Sequence, residues 1–148
     1  MTLPGAPGRA LNREVSRDHP TPTATILLVD DFSKWRLCVR SILRAHPQWK
    51  IVSEACDGDE AVERAAELQP DLIILDIGLP RMNGIRAATL IRERSPHSRI
   101  VFLSQITDRE IRQAALAVGQ AEYLAKANVA TELLDTIAAV LAGRYTSA

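Results

Sequence analysis

The sequence predicts an α/β fold, a doubly wound sheet in which five parallel strands alternate with five helices. Short apolar runs without alternation, at Thr25 to Val29, Leu72 to Leu75 and Ile100 to Leu103, suit strands buried on both faces of a parallel sheet. Amphipathic stretches with apolar residues three and four apart separate them. The strands also end alike, in polar residues: Asp30-Asp31, Asp76, Ser104 and, after a shorter run around Tyr123-Leu124-Ala125, Lys126. In an open parallel sheet the carboxyl ends of the strands are where ligands sit, so these side chains are placed for chemistry.

The elements follow in order. Residues 1–23 carry Pro4, Pro7, Pro20, Pro22, Gly5 and Gly8 and few large apolar residues, which predicts a disordered tail, followed by one domain over 24–143 and a tail or truncated linker over 144–148. After the first strand, Trp35, Cys38, Val39, Ile42 and Ala45 form the inward stripe of a helix that Pro47 closes, with Arg36, Arg40 and Arg44 on the wet side. A strand near Ile51-Val52 leads to a capping box at Asp57 and Glu60 and a helix with Ala61, Val62, Ala65 and Leu68 inward. The third strand ends at Asp76, and Gly78, Pro80 and Asn83-Gly84 break it into a loop. The third helix has Ile85, Ala88 and Ile91 inward and stops before Ser95-Pro96. A box of Thr107 and Glu110 opens the fourth, with Ile111, Ala114, Ala115 and Val118 inward and Gly119 ending it. The last runs from Thr131 with Leu134, Ile137, Ala138 and Leu141 inward.

Composition narrows the function. The 148 residues have formal net charge zero and are 47% hydrophobic, which fits one globular domain with a sizeable core and gives no basic footprint for nucleic acid. No apolar run spans a membrane and no secretory leader is read, so a cytoplasmic protein is expected. Cys38 and Cys56 fall inside element patterns and build no disulfide framework, and no Cys/His cluster has zinc spacing.

Taken with the loop Leu79-Pro80-Arg81-Met82-Asn83-Gly84, the strand-end set resembles the receiver domain of bacterial two-component response regulators. The loop and the ending Ala142-Gly143-Arg144-Tyr145 resemble in particular receivers of LuxR-type helix-turn-helix regulators. The resemblance implies a flavodoxin-like sheet of order 2-1-3-4-5, with Asp30, Asp31 and Asp76 meeting in the crevice where the winding reverses. Like charges about 4 Å apart repel by roughly 4 kcal/mol at an effective dielectric near 20, so these carboxylates need positive charge beside them. Lys126 and a divalent ion supply it, and hard oxygen ligands favour Mg2+ over zinc. Asp31 and Asp76 are read as direct ligands, Asp30 as water-mediated, and the Gly78 carbonyl as the ligand that the family pattern implies.

Asp76 is then the phosphoacceptor, with Ser104 and Lys126 cradling the phosphoryl oxygens. Tyr123 falls where the family has its switch aromatic, so Ser104 and Tyr123 are expected to couple phosphorylation to the surface; a core tyrosine is the alternative. The sequence departs from many receivers at Gln105, where a small residue is usual, and at Ala127, where proline is. The implied partners are a sensor histidine kinase or histidine phosphotransfer protein, and an output protein or a missing DNA-binding domain. A phosphorylation-dependent homodimer is allowed, and neither membrane nor direct nucleic-acid binding is expected. Slow autodephosphorylation makes it a switch rather than a metabolic enzyme. Two rivals stand: a metal-dependent phosphatase, against which Gly78 stands where a second Asp is usual, and a receiver-like module that is never phosphorylated.

Overall fold

The computed structural model describes residues 23–105 and 108–146, so the predicted tail lies outside the described residues except for Thr23. Strands β1 (Ala24–Val29), β2 (Trp49–Ala55), β3 (Leu72–Asp76), β4 (Arg99–Ser104) and β5 (Ala121–Ala125) alternate with helices α1 (Ser33–Leu43), α2 (Gly58–Leu68), α3 (Gly84–Arg94), α4 (Arg109–Leu116) and α5 (Val129–Leu141). All pairings are parallel and the order is β2-β1-β3-β4-β5, as the resemblance implied.

Strand alternation divides the core between two layers of helix. Ile73, Leu75, Ile100 and Phe102 pack toward α2, α3 and α4, where Ala61, Ala65, Ala87, Ala88 and Ala115 let the helices approach closely. Ile26, Leu28, Leu72, Ile74, Val101 and Leu124 pack toward α1 and α5, against Val39, Leu43, Leu133, Ile137 and Val140. Continuing the alternation, Asp30, Asp76 and Lys126 emerge at the α1 and α5 side. Edge strand β2 carries a bulge: Ile26 pairs with Ile51 but Leu27 with Ser53, which leaves Val52 unpaired and exposed.

Helix starts are set by side-chain caps. Asp57 accepts from Glu60 N, while Glu60 accepts from Cys56 N, one residue earlier than in the usual box. Asn83 caps α3 through Arg86 N. Thr107 lies outside the described residues, and the cap of α4 is Asp108, which accepts from Glu110 N and Ile111 N.

Several expected inward positions differ. Ala45 lies beyond the end of α1 and is exposed, as are Leu68 and Ala114. Helix α5 starts at Val129, and its buried stripe is Val129, Leu133, Ile137 and Val140; Ala138 is exposed and Leu134 and Leu141 are half-buried. The helix is apolar around much of its circumference, so periodicity alone did not fix its phase. The short 3-10 turn Lys126–Asn128 sets the entry angle, and Val129 goes in first.

Candidate functional site

β1 and β3 are adjacent, with Val29 opposite Leu75, so the residues that follow them leave the sheet side by side. Asp30 and Asp76 are buried while Asp31 is exposed. One carboxylate oxygen from each lies within 4.8 Å of the others. Ser104 closes β4 and Lys126 follows β5, both buried. Asp30, Asp31, Asp76, Gly78, Ser104 and Lys126 thus line one cavity of about 210 Å³, together with Phe32, Trp35 and Gln105. The structure brings the whole predicted set together except Tyr123. That residue sits two positions further down the sheet, opposite Phe102, and lines the separate groove of Arg112, Glu132 and Asp135.

Lys126 Nζ is 2.8 Å from Asp30 Oδ2 and 3.4 Å from Asp76 Oδ1. Asp76 Oδ1 also accepts from Gly78 N at 3.2 Å, and Asp30 Oδ1 accepts from Phe32 N at 2.9 Å. Burial first, and then the Asp30 carboxylate, push the Asp76 carboxyl above its ordinary value; Lys126 and the Gly78 amide pull it back only partly. A set of carboxylate oxygens with no sulfur or nitrogen among them, still short of positive charge with Lys126 in place, fits a hard divalent cation such as magnesium.

The loop after Asp76 is held rigidly. Ile77 N donates to Leu103 O and Gly84 N donates back to Ile77 O, while Ile77 and Leu79 are buried. A Cβ at Gly84 would stand 2.2 Å from the Asp76 carbonyl oxygen, so only glycine lets α3 begin this close to the strand end. Gly78 is different: a Cβ there would come no nearer than 3.8 Å, to Asp76 Oδ1, and would face the carboxylate. Arg81, at φ +65°, reaches Asp57 and ties this loop to the start of α2.

Three residues of the site were missed, among them Phe32, which lines the cavity and donates its amide to Asp30 Oδ1. Arg36 was placed on the wet side of α1, yet its Nη1 donates to Asp30 O and its Nε pairs with Glu54 Oε1 at 2.9 Å, anchoring α1 to the end of β1. Trp35 was read as core, yet it also lines the cavity, with its ring centroid 4.8 Å from Lys126 Nζ. Helix α1 starts only two residues after Asp31, and this closeness was the signal: first-turn residues face the strand end whatever their stripe.

A doubly wound sheet with acids, a hydroxyl and a lysine converging at its switch point is the arrangement of a receiver domain. The chain belongs to the response regulator receiver domain family, whose model matches residues 26–138. It is 38% identical over 120 residues to the nitrate/nitrite response regulator protein NarL of Escherichia coli, covering 81% of this chain and 56% of that protein. It is 37% identical over 123 residues to the protein-glutamate methylesterase/protein-glutamine glutaminase of Thermotoga maritima, covering 76% of this chain and 36% of that protein. The chain therefore spans between about a third and somewhat over half of these relatives.

Among solved structures it resembles a LuxR-family response regulator from Aurantimonas sp., with TM-score 0.78 and 33% identity over 84% of this chain and 90% of that one. It also resembles the CheX-CheY-BeF3-Mg+2 complex from Borrelia burgdorferi, with TM-score 0.75 and 25% identity over 84% of this chain and 92% of that one. No described helix is long and apolar enough to cross a membrane.

Proposed function

We propose that this receiver takes a phosphoryl group on Asp76 from a phosphohistidine of a sensor histidine kinase or histidine phosphotransfer protein, in the cytoplasm. The observation that carries the proposal is the buried Asp76 carboxylate facing Asp30 and Lys126 in an open cavity. The Gly78 amide and the Lys126 ammonium both meet Asp76 at Oδ1, which leaves Oδ2 as the attacking atom. It forms the new bond to phosphorus as the phosphorus–nitrogen bond breaks, and the electron pair leaves on the imidazole, which takes up a proton. Asp31, Asp76 and the Gly78 carbonyl, with Asp30 beside them, would hold magnesium, whose charge would let an anion approach these acids. The similar chain from Borrelia burgdorferi belongs to a CheX-CheY-BeF3-Mg+2 complex, which supports that choice.

Lys126 turns from Asp76 to a phosphoryl oxygen, and Ser104 donates its hydroxyl to another. A phosphate that meets Ser104 better in one arrangement of β4 and α4 shifts the population toward it. Tyr123 then transmits the change to the face of α4, β5 and α5, where an output protein, an attached DNA-binding domain or a second copy docks.

Intact mass after incubation with phosphoramidate and magnesium tests the proposal. The parent is expected to gain one phosphate, and Asp76→Asn none. A gain that persists in Asp76→Asn places the acceptor elsewhere; no gain in the parent favours the unphosphorylated module.

A further inference from the structure

We propose that Trp35 is a positioning residue for Lys126, its indole face holding the ammonium at the phosphoryl site; this rests on the proposed phosphorylation of Asp76. The geometry is specific. Lys126 is 6% exposed, and its Nζ meets Asp30 at 2.8 Å, Asp76 at 3.4 Å and the Trp35 ring centroid at 4.8 Å. That distance is within the range in which the negative face of an aromatic ring attracts a cation, and the shielding of the site from water strengthens the attraction.

A lysine needs such a wall more than an arginine would. Its ammonium is a point charge on a flexible stem, and once Asp76 carries a phosphoryl group the ammonium must leave one oxygen for another. Carboxylates fix it only along particular directions. An aromatic face lets it swing across the ring while it stays at the cavity, so the indole is the partner that persists through the transfer.

Trp35 is itself held in place. Its amide donates to Phe32 O in the first turn of α1, and its side chain packs on the core beneath that helix. The neighbouring Arg36 ties the same turn to Asp30 O and Glu54. Ring and ammonium are therefore referred to one strand end, the one that also carries Asp30 and Asp31. An apolar stripe would be satisfied by any large aliphatic residue at this position; the contact to Lys126 asks for a π face.

The test compares Trp35→Leu with Trp35→Phe, both apolar and both able to fill the helix stripe. With phosphoramidate and saturating magnesium, the rate of Asp76 phosphorylation is expected to fall about tenfold in Trp35→Leu and to recover most of that loss in Trp35→Phe. The two variants should melt alike. In the parent, the ring current of the indole should shift the Lys126 ε-methylene protons upfield in the NMR spectrum, and that shift should vanish in Trp35→Leu. Equal rates in the parent and Trp35→Leu, or a Trp35→Phe variant as slow as Trp35→Leu, would overturn the inference while leaving Asp76 as acceptor. Unshifted ε-methylene protons in the parent overturn it as well, even if Trp35→Leu fails to fold. A parent that takes no phosphate at all overturns the proposed function and, with it, any role for Trp35 in the reaction.

Discussion

At the amino-terminal edge of the sheet, charged side chains are spread among neutral partners, whereas at the carboxyl-terminal edge three carboxylates face one buried ammonium. At the first edge Asp71 accepts from the amide and hydroxyl of Thr25, at 2.8 and 3.1 Å. Arg92 donates to the carbonyls of Ser98 and Gly119, both at 2.6 Å, and Arg99 donates to that of Leu141 at 2.8 Å. Ser98 donates to Pro70 O and shares a hydrogen bond with Ser95. Gln69, in a left-handed conformation at φ +47°, bridges the ends of α2 and α3 through Ala66 O and Arg94 O. Each of these contacts ties down a loop or a helix end. At the other edge the same fold gathers like charges, and burial drives Asp76 away from its ionised form. The two edges share strands and core, so the difference lies in what the loops carry: one edge is spent on stability, and the other holds a charge imbalance that a cation and a phosphoryl group relieve.

The comparison breaks most violently where site and scaffold touch. Gly84→Ala drives a methyl group into the Asp76 carbonyl, a backbone neighbour that cannot turn aside. A loss of about 3 kcal/mol or more is expected in urea unfolding, together with impaired phosphorylation. Gly78→Ala, where the same methyl meets only the Asp76 carboxylate at an ordinary contact distance of 3.8 Å, should fold normally. A pair of variants with equal stability would mean that the loop does not rest on the strand end.

Arg92→Ala separates the two edges from the other direction. It removes three charge-assisted bonds to carbonyls, those of Pro96, Ser98 and Gly119, and should cost about 2 kcal/mol by urea unfolding. Magnesium affinity and phosphorylation rate should stay at parental values. A change in either would show that the edges communicate.

The smallest effect belongs to the cap. Asp57→Ala deprives Glu60 N of its acceptor and should cost about 1 kcal/mol. The exposed pair between Asp57 and Arg81 should add little, so Arg81→Ala is expected to unfold within about 0.5 kcal/mol of the parent.

Much of the reactive edge was legible because strand ends are easy to read. Apolar runs of three to five residues leave little choice of phase, and the residue after each run must stand at the sheet's edge; Asp30, Asp76, Ser104 and Lys126 were located in this way. Helices gave less. In α5 the apolar residues cover much of the circumference, and the stripe Leu133, Ile137 and Val140 was taken for Leu134, Ile137, Ala138 and Leu141. Trp35 and Arg36 were assigned by stripe, although their place in the first turn, beside Asp30, decides what they touch. The network of Gln69, Ser95 and Ser98 had no signal at all, because its members meet one another and the carbonyls of Pro70 and Arg94 only through the tertiary fold.

The charge imbalance at the carboxyl edge is tested most directly by the stability of the parent and of Asp76→Asn as a function of pH, in chelator and without magnesium. In the folded state the Asp76 carboxyl titrates above its ordinary value of 3.8. A raised carboxyl favours the folded state most when it is protonated. That contribution is complete below the unfolded value and is lost as pH rises through the folded one, so the ionised group burdens the fold at neutral pH. Asp76→Asn should therefore be the more stable protein at pH 7. Its advantage should shrink as the pH falls toward the ordinary aspartate range and disappear below it. A parent as stable as Asp76→Asn at pH 7, or a difference that does not change with pH, would contradict the account.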